Sequence, residues 1–334
     1  MDADGEFWRR RSVALTGATG FIGHHLAMKL ASCGARLTAL VRSGSRIERL
    51  KAAGIECIVA PLDQTDAMAR ASGDAEFFFH LAGAVDFGSD EALCRKVNVE
   101  GTANALRAAR DAGVGRFIHA SSIVAVGANR RPQMLDETST WNLGECRVPY
   151  ATTKREAEEL VMTFGAPMER VVVNPACVVG PDDFSHSEFG TVCKRFWRGR
   201  LPFYSGRGNN FVDVRDVADG LLLAAQKGQA GERYILGGEN LTYRQFFRLL
   251  AQAEGRRRFR MPVPLFVAKF SAFIADQFPR RKAKPYLTRS QARFLGLWFF
   301  FDCSKARREL GYTPRPLIDS FTDTHAFWTH PKAA

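Results

Sequence analysis

The 334-residue chain contains no uninterrupted apolar run approaching the roughly 20 residues that a membrane-spanning helix needs, so no span is expected. Its opening MDADGEFWRRR lacks the apolar core of a secretion signal, and a cytoplasmic protein is the expectation. No low-complexity tract or fixed-period repeat is visible, which sets aside disordered, collagenous and solenoid architectures. Cysteine is sparse and scattered: Cys33, Cys57, Cys94, Cys146, Cys177, Cys193 and Cys303 form no C-x-x-C pair and none stands at zinc-ligand spacing with histidine. They read as small buried hydrophobes in a reducing compartment, with no metal site.

What is present is an ordinary globular composition, 46% hydrophobic and 25% charged, with 47 basic against 35 acidic residues for a net charge of +12. That excess would suit nucleic acid, anionic lipid or a polyanionic small molecule. No recognition-helix pattern or aromatic RNA platform accompanies it, so nucleic acid is not expected.

The first half alternates short apolar runs, at 13–16, 36–41, 56–60, 77–81, 117–120 and 171–174, with helix-period segments. Short strands without a polar alternate face predict a parallel sheet covered on both sides, hence an α/β, doubly wound (Rossmann) domain. A helical run at 217–226 and a strand at 233–236 rejoin it. The expected division is a dinucleotide domain over 12–180 plus 205–240 and a smaller, mostly helical substrate lobe over 181–204 plus 241–330.

After the first strand comes TGATGFIG, in which Gly17, Thr19, Gly20, Phe21, Ile22 and Gly23 open a helix. Small residues there let backbone N–H groups approach a pyrophosphate at a helix N-terminus. At the end of the second strand a carboxylate would bind a ribose 2′-hydroxyl, but the sequence has Leu40-Val41-Arg42-Ser43. Arg42, with Ser43 and Arg46, would instead hold a 2′-phosphate, so NADP(H) is expected in preference to NAD(H). Asp63 and Gln64 follow the third strand as candidates for the adenine side, with Asp66 an expected helix N-cap. Leu81, Ala82 and Gly83 end the fourth strand with the small residues that backbone beside a cofactor requires.

Tyr150 and Lys154 stand four residues apart at the start of a helical stretch, on one face. A phenol with a reference pKa near 10 is a poor acid or base at neutral pH, and a nearby cation is expected to lower it.

Together with HLAGA, NVEGT at 98–102, Ser121-Ser122, Asn174-Pro175 and the closing SKARRELGY, these motifs resemble the extended short-chain dehydrogenase/reductases. The resemblance implies Tyr150 as proton donor or acceptor, Lys154 as its modulator and a ligand of the nicotinamide ribose, and Ser122 as the hydroxyl that orients a substrate carbonyl. Ser122 is preferred to Ser121 because the family serine stands five residues before the glycine matched by Gly127. The resemblance also places Asn98, Pro175 and Val178 near the cofactor, Asn98 with a bracing role as the alternative, and implies a homodimer.

Within the family, dehydratases carry acids directly after the catalytic serine or threonine, where this chain has Ile123-Val124. Epimerases carry an acid where Arg42 stands. The LVRSGS, NPACVVGP and GERYILGGENLTYRQ segments look most like the branch of dihydroflavonol-reductase-like, 3β-hydroxysteroid-dehydrogenase-like and hopanoid-associated proteins. Phe184, Phe189, Phe196, Trp197, Phe203, Tyr204, Leu265, Phe266, Phe270 and Phe273 give the second lobe few polar hooks, which favours a bulky apolar ketone or alcohol over a nucleotide sugar. A nucleotide-sugar epimerase and a non-catalytic dinucleotide sensor are the alternatives; the intact Ser122, Tyr150 and Lys154 set argues against the sensor. The basic clusters at 256–260 and 280–284 flank an apolar segment that would suit an anionic membrane surface.

Overall fold

The structure is a computed structural model that describes residues 3–85, 90–165, 167–201, 203–256, 261–263 and 293–329. Strands β1 (Ser12–Thr16), β2 (Arg36–Val41), β3 (Glu56–Val59), β4 (Phe77–His80), β5 (Arg116–Ala120), β6 (Glu169–Pro175) and β9 (Arg233–Leu236) form one seven-stranded sheet. Its order is β9-β6-β5-β4-β1-β2-β3 and every pairing is parallel. The expected strands are all present, with ends displaced by at most two residues.

The apolar runs of the sequence are explained by burial on both faces. Val13, Leu15, Phe77, Phe79, Val171 and Val173 join one core, under α1 (Phe21–Ser32) and α6 (Val214–Lys227). The alternate residues Ala14, Phe78, Phe117 and Val172 join another, with Met68 of α2 (Thr65–Ser72), Leu106 of α3 (Gly101–Asp111) and Val161 of α4 (Pro149–Thr163). Since neither face of the central strands meets water, they need no polar alternation. The chain order reverses beside β1, whose two neighbours are β2 and β4, and the crevice outside the carboxyl ends at such a switch point is where these sheets take ligands.

A second, three-stranded sheet is built from β7 (Cys177–Val179), β8 (Gly208–Asp213) and β10 (Glu239–Thr242), with β8 parallel to β7 and antiparallel to β10. Strand β10 continues across the expected boundary at 240/241. Behind that sheet lies a separate core of Phe196 and Trp197 from α5 (Glu188–Trp197), Phe246, Phe247 and Leu250 from α7 (Tyr243–Glu254), and Phe321 from α8 (Leu317–Thr329). Phe196 stacks on Phe247 with ring centroids 5.4 Å apart, and Trp197 donates its indole N–H to the Leu250 carbonyl at 3.1 Å. Phe196 and Trp197 are therefore core, the reading that aromatic residues at helical spacing favour. Leu265, Phe266, Phe270, Phe273 and most of the two basic clusters lie outside the described residues, as does the apolar segment between the clusters beyond 261–263. Among the described residues no helix is long and apolar enough to cross a membrane.

Candidate active site

The glycine loop joins β1 to α1 at the switch point. Gly17 has a φ of +80°, and a Cβ there would lie 2.7 Å from the Ala82 nitrogen and the Leu81 carbonyl carbon. A Cβ on Gly23 would lie 2.1 Å from the Gly17 oxygen. Glycine at these two positions is what lets α1 begin tight against the ends of β1 and β4. The N-cap, Gly20, offers no side chain to the helix start and the first turn holds no acid. The N–H groups of Phe21, Ile22 and Gly23 thus have no side-chain cap and carry the positive end of the helix dipole, a donor set that fits a pyrophosphate. Thr19 is exposed beside them.

The end of β4 is braced by a buried histidine. Thr102 donates its hydroxyl to the Asn98 carbonyl at 2.6 Å, so it can only accept from Nε2–H of His80 at 3.1 Å. Nδ1 of His80 then accepts from the Thr16 hydroxyl at 2.8 Å, and Thr16 accepts from the Ala82 N–H at 3.3 Å. Burial holds the His80 pKa down at about 3, so the ring is a neutral strut. Leu81 and Ala82 are half-buried and Gly83 is exposed at the head of this strut.

Asn98, 2% exposed, accepts from the Ala84 N–H at 2.8 Å through Oδ1. Its Nδ2 donates to the Ala84 carbonyl and to Thr153 Oγ1, each at 3.1 Å. Both ends of the amide are engaged by protein, which is the bracing geometry. It sits in a π-helical turn, Arg95–Glu100, leading into α3.

Tyr150, Lys154 and Ser122 meet at the carboxyl ends of β5 and β6. Pro149 at the first position of α4 starts the helix, and Tyr150 and Lys154 follow on its buried face. Tyr150 is hydrogen-bonded to the Ser122 side chain. Ser122 has extended backbone and caps the short turn Ile123–Ala125 by accepting from the Val124 N–H at 3.4 Å. Lys154 donates from Nζ to the Ala120 carbonyl at 2.7 Å. The neighbouring Ser121 hydroxyl is buried and has no hydrogen-bond partner among the described residues, so Ser122 is the serine that the fold joins to the tyrosine.

The electrostatics differ from the expectation that Lys154 dominates Tyr150. Burial raises the Tyr150 phenol to about 12, opposed by the hydrogen bond from Ser122, and Lys154 is not among the groups that move it. Burial also lowers the Lys154 ammonium to about 8, opposed by the charge of Glu158. In this geometry the tyrosine is a firmly neutral phenol, and the lysine is the group that titrates near neutrality.

The remaining candidates spread along the crevice. Arg42, Ser43 and Arg46 are exposed just beyond β2, and no hydrogen bond or ion pair to another described residue ties the Arg42 side chain. Asp63 is exposed and lies 3.8 Å from the Lys96 ammonium. Exposed Gln64 is the N-cap of α2, while Asp66 stands in the first turn; the cap therefore lies two residues before the expected Asp66. Pro175 is buried at the end of β6 and Val178 half-buried in β7, both beyond the Ser122 and Tyr150 pair. Sequence reasoning missed Glu158 and Arg233, whose ion pair at 2.9 Å lies behind Lys154; the i, i+4 spacing of Lys154 and Glu158 was the available signal.

The pattern that matches residues 13–237 is described as the NAD dependent epimerase/dehydratase family. The chain belongs to that family. It is an enzyme chain of the extended short-chain dehydrogenase/reductase type. Among relatives of this extended family member, the sterol demethylase protein B of Methylococcus capsulatus is 32% identical over 320 residues, covering 94% of this chain and 97% of that one. The 4-hydroxy-2-methyl-3-oxo-4-farnesyl-3,4-dihydroquinoline-1-oxide ketoreductase of Stigmatella aurantiaca is 30% identical over 306 residues, covering 90% and 91%. The crystal structure of gox2253 superposes with a TM-score of 0.83 at 34% identity, covering 96% of this chain and 99% of that one.

Proposed function

We propose that this chain is an NADP(H)-dependent oxidoreductase that interconverts a ketone and a secondary alcohol on a bulky apolar substrate, lipid-like, steroid-like or polyketide-like. The observation that carries the reading is the Tyr150 phenol bonded to the Ser122 side chain, one helical turn from the buried Lys154. A protein that only sensed a dinucleotide would have no physical use for that arrangement.

The glycine loop and the first turn of α1 would hold the pyrophosphate, and Arg42 with Ser43 the 2′-phosphate. When bound, the dinucleotide supplies or accepts a hydride. The chain's own residues do the rest. In reduction, the Ser122 hydroxyl and the Tyr150 phenol bond the substrate carbonyl oxygen, and Tyr150 gives that oxygen its proton. Lys154, an ammonium at neutral pH, stabilises the phenolate that remains. In oxidation the same proton returns to Tyr150.

Support for this reading over the alternatives comes from two places. Ile123 and Val124, both buried, follow Ser122 where a dehydrating enzyme needs acids. Two of the relatives above carry names of sterol and farnesylated-quinoline chemistry. The test is a fluorescence titration of the purified protein with NADPH and NADH, followed by a panel of apolar ketones. Exchangeable NADPH bound at least tenfold tighter, about 1.4 kcal/mol, with turnover of such ketones supports the reading. Tightly retained NAD with turnover of UDP-sugars would replace it with an epimerase.

A further inference from the structure

Glu158 lies one turn beyond Lys154 on α4, and both side chains are buried. Its carboxylate is divided between two partners. Oε1 accepts from Nη1 of Arg233 at 2.9 Å, and Oε2 accepts from Nδ2 of Asn174 at 2.6 Å. The same Nδ2 donates to the Ser122 carbonyl at 3.0 Å. Both neighbours of that amide are acceptors, so only its NH2 end can face them and the orientation of Asn174 is fixed by chemistry. Arg233, on β9, also donates from Nε to the Glu137 carbonyl at 2.8 Å, which limits where its guanidinium can go. A continuous chain of bonds thus runs from the edge of the sheet, through Glu158 and β6, to the backbone of Ser122.

We propose that Glu158 is a positioning residue for the reaction: through Asn174 it holds Ser122 in place, and it sets a buried negative charge one helical turn from Lys154, with Arg233 restraining the carboxylate. The inference rests on the oxidoreductase reading above. A buried ion pair is weak ground for stability, because desolvating two charges offsets most of their attraction. Its consequence lies in what it stands beside. Among the described residues, the titratable groups coupled to Lys154 are Glu158 from its own helix, His80 from β4 and His119 from β5, with Tyr150 one turn before it on the same buried face. Both imidazoles are held neutral by burial, and Tyr150 is a neutral phenol. Glu158 is the negative charge among the described residues that acts on the ammonium.

The test follows the titration of Lys154 by NMR in protein made with isotope-labelled lysine, with Lys154→Met assigning the signal. In Glu158→Gln the Lys154 midpoint is expected to fall by about one pH unit or more. In Arg233→Met, which breaks the same ion pair but leaves the carboxylate, it is expected to stay or rise. A merely structural role would move both variants alike. Equal downward shifts, or no shift in Glu158→Gln, overturn the proposal. If Glu158→Gln fails to fold, the Glu158→Gln/Arg233→Met double variant leaves no unpaired charge, and a Lys154 midpoint no lower than in Arg233→Met alone overturns it equally. With a ketone that the wild type reduces, the alkaline limb of kcat/KM should move to lower pH in step with the NMR midpoint. Absence of any ketone turnover by the wild type, with the Lys154 shifts intact, would sink the oxidoreductase reading while leaving the electrostatic link between Glu158 and Lys154 established.

Discussion

The Nζ atom of Lys154 lies 2.7 Å from the carbonyl oxygen of Ala120, the last residue of β5. Two residues further on is Ser122. The bond therefore ties the helix that carries Tyr150 to the strand end that carries its hydrogen-bond partner, and the relative placement of phenol and hydroxyl follows from it.

Replacing Tyr150 by Phe removes the proton donor while keeping the ring that packs in the core. Ketone reduction is expected to fall by on the order of 10²–10⁴-fold, the usual worth of a positioned general acid, with NADPH affinity nearly unchanged. Steady-state kinetics beside a fluorescence titration checks both halves; activity within a few-fold of wild type would contradict the role.

Reduction needs Tyr150 as a phenol and Lys154 as an ammonium. With the phenol raised to about 12 and the ammonium lowered to about 8, the lysine is the first to lose its proton as pH rises. Because the required form of each group is the protonated one, the rate should be level below that lower value and decline above it. A pH profile of kcat/KM that stays level until the tyrosine range would show that Lys154 charge is not needed.

Arg42 stands exposed where the second strand ends, free of any carboxylate partner among the described residues. Arg42→Asp should repel a 2′-phosphate and accept a ribose hydroxyl instead, inverting the preference between NADPH and NADH by at least tenfold, about 1.4 kcal/mol. Unchanged relative affinities would remove Arg42 from the cofactor site.

Two glycines near the loop separate strain from collision. At Gly23 an added Cβ meets the Gly17 carbonyl oxygen at 2.1 Å, backbone that cannot swing aside. Gly23→Ala is expected to cost about 3 kcal/mol or more and to abolish dinucleotide binding. Gly44 has a positive φ, +73°, but open space around it, and Gly44→Ala should cost only about 1 kcal/mol. Denaturant melts of the two variants give the comparison.

The seven strands were legible because burial on both faces writes itself into short apolar runs, and the glycine loop because a tight strand-to-helix turn admits few residues. Tyr150, Lys154 and Ser122 could be named from spacing and resemblance together. The second sheet was not legible: Cys177–Val179 and Glu239–Thr242 are short, far apart in sequence, and held by pairing with Gly208–Asp213 rather than by their own propensity. Phe196 and Trp197 carry no mark that tells a core residue from a pocket wall; only the packing partners Phe247 and Leu250 decide it. The balance of forces on Tyr150 was equally hidden, since four-residue spacing shows a cation nearby but says nothing of how deeply the phenol is buried.

The most direct test of the central claim is to incubate the enzyme with NADPH deuterated on the transferring side of C4 and an apolar ketone, and to analyse the alcohol by mass spectrometry. The expected result is one deuterium on the carbinol carbon with wild type, and the same label formed on the order of 10²–10⁴-fold more slowly with Tyr150→Phe. Failure of any apolar ketone to acquire the label, with UDP-sugars epimerised by protein that retains NAD, would contradict it.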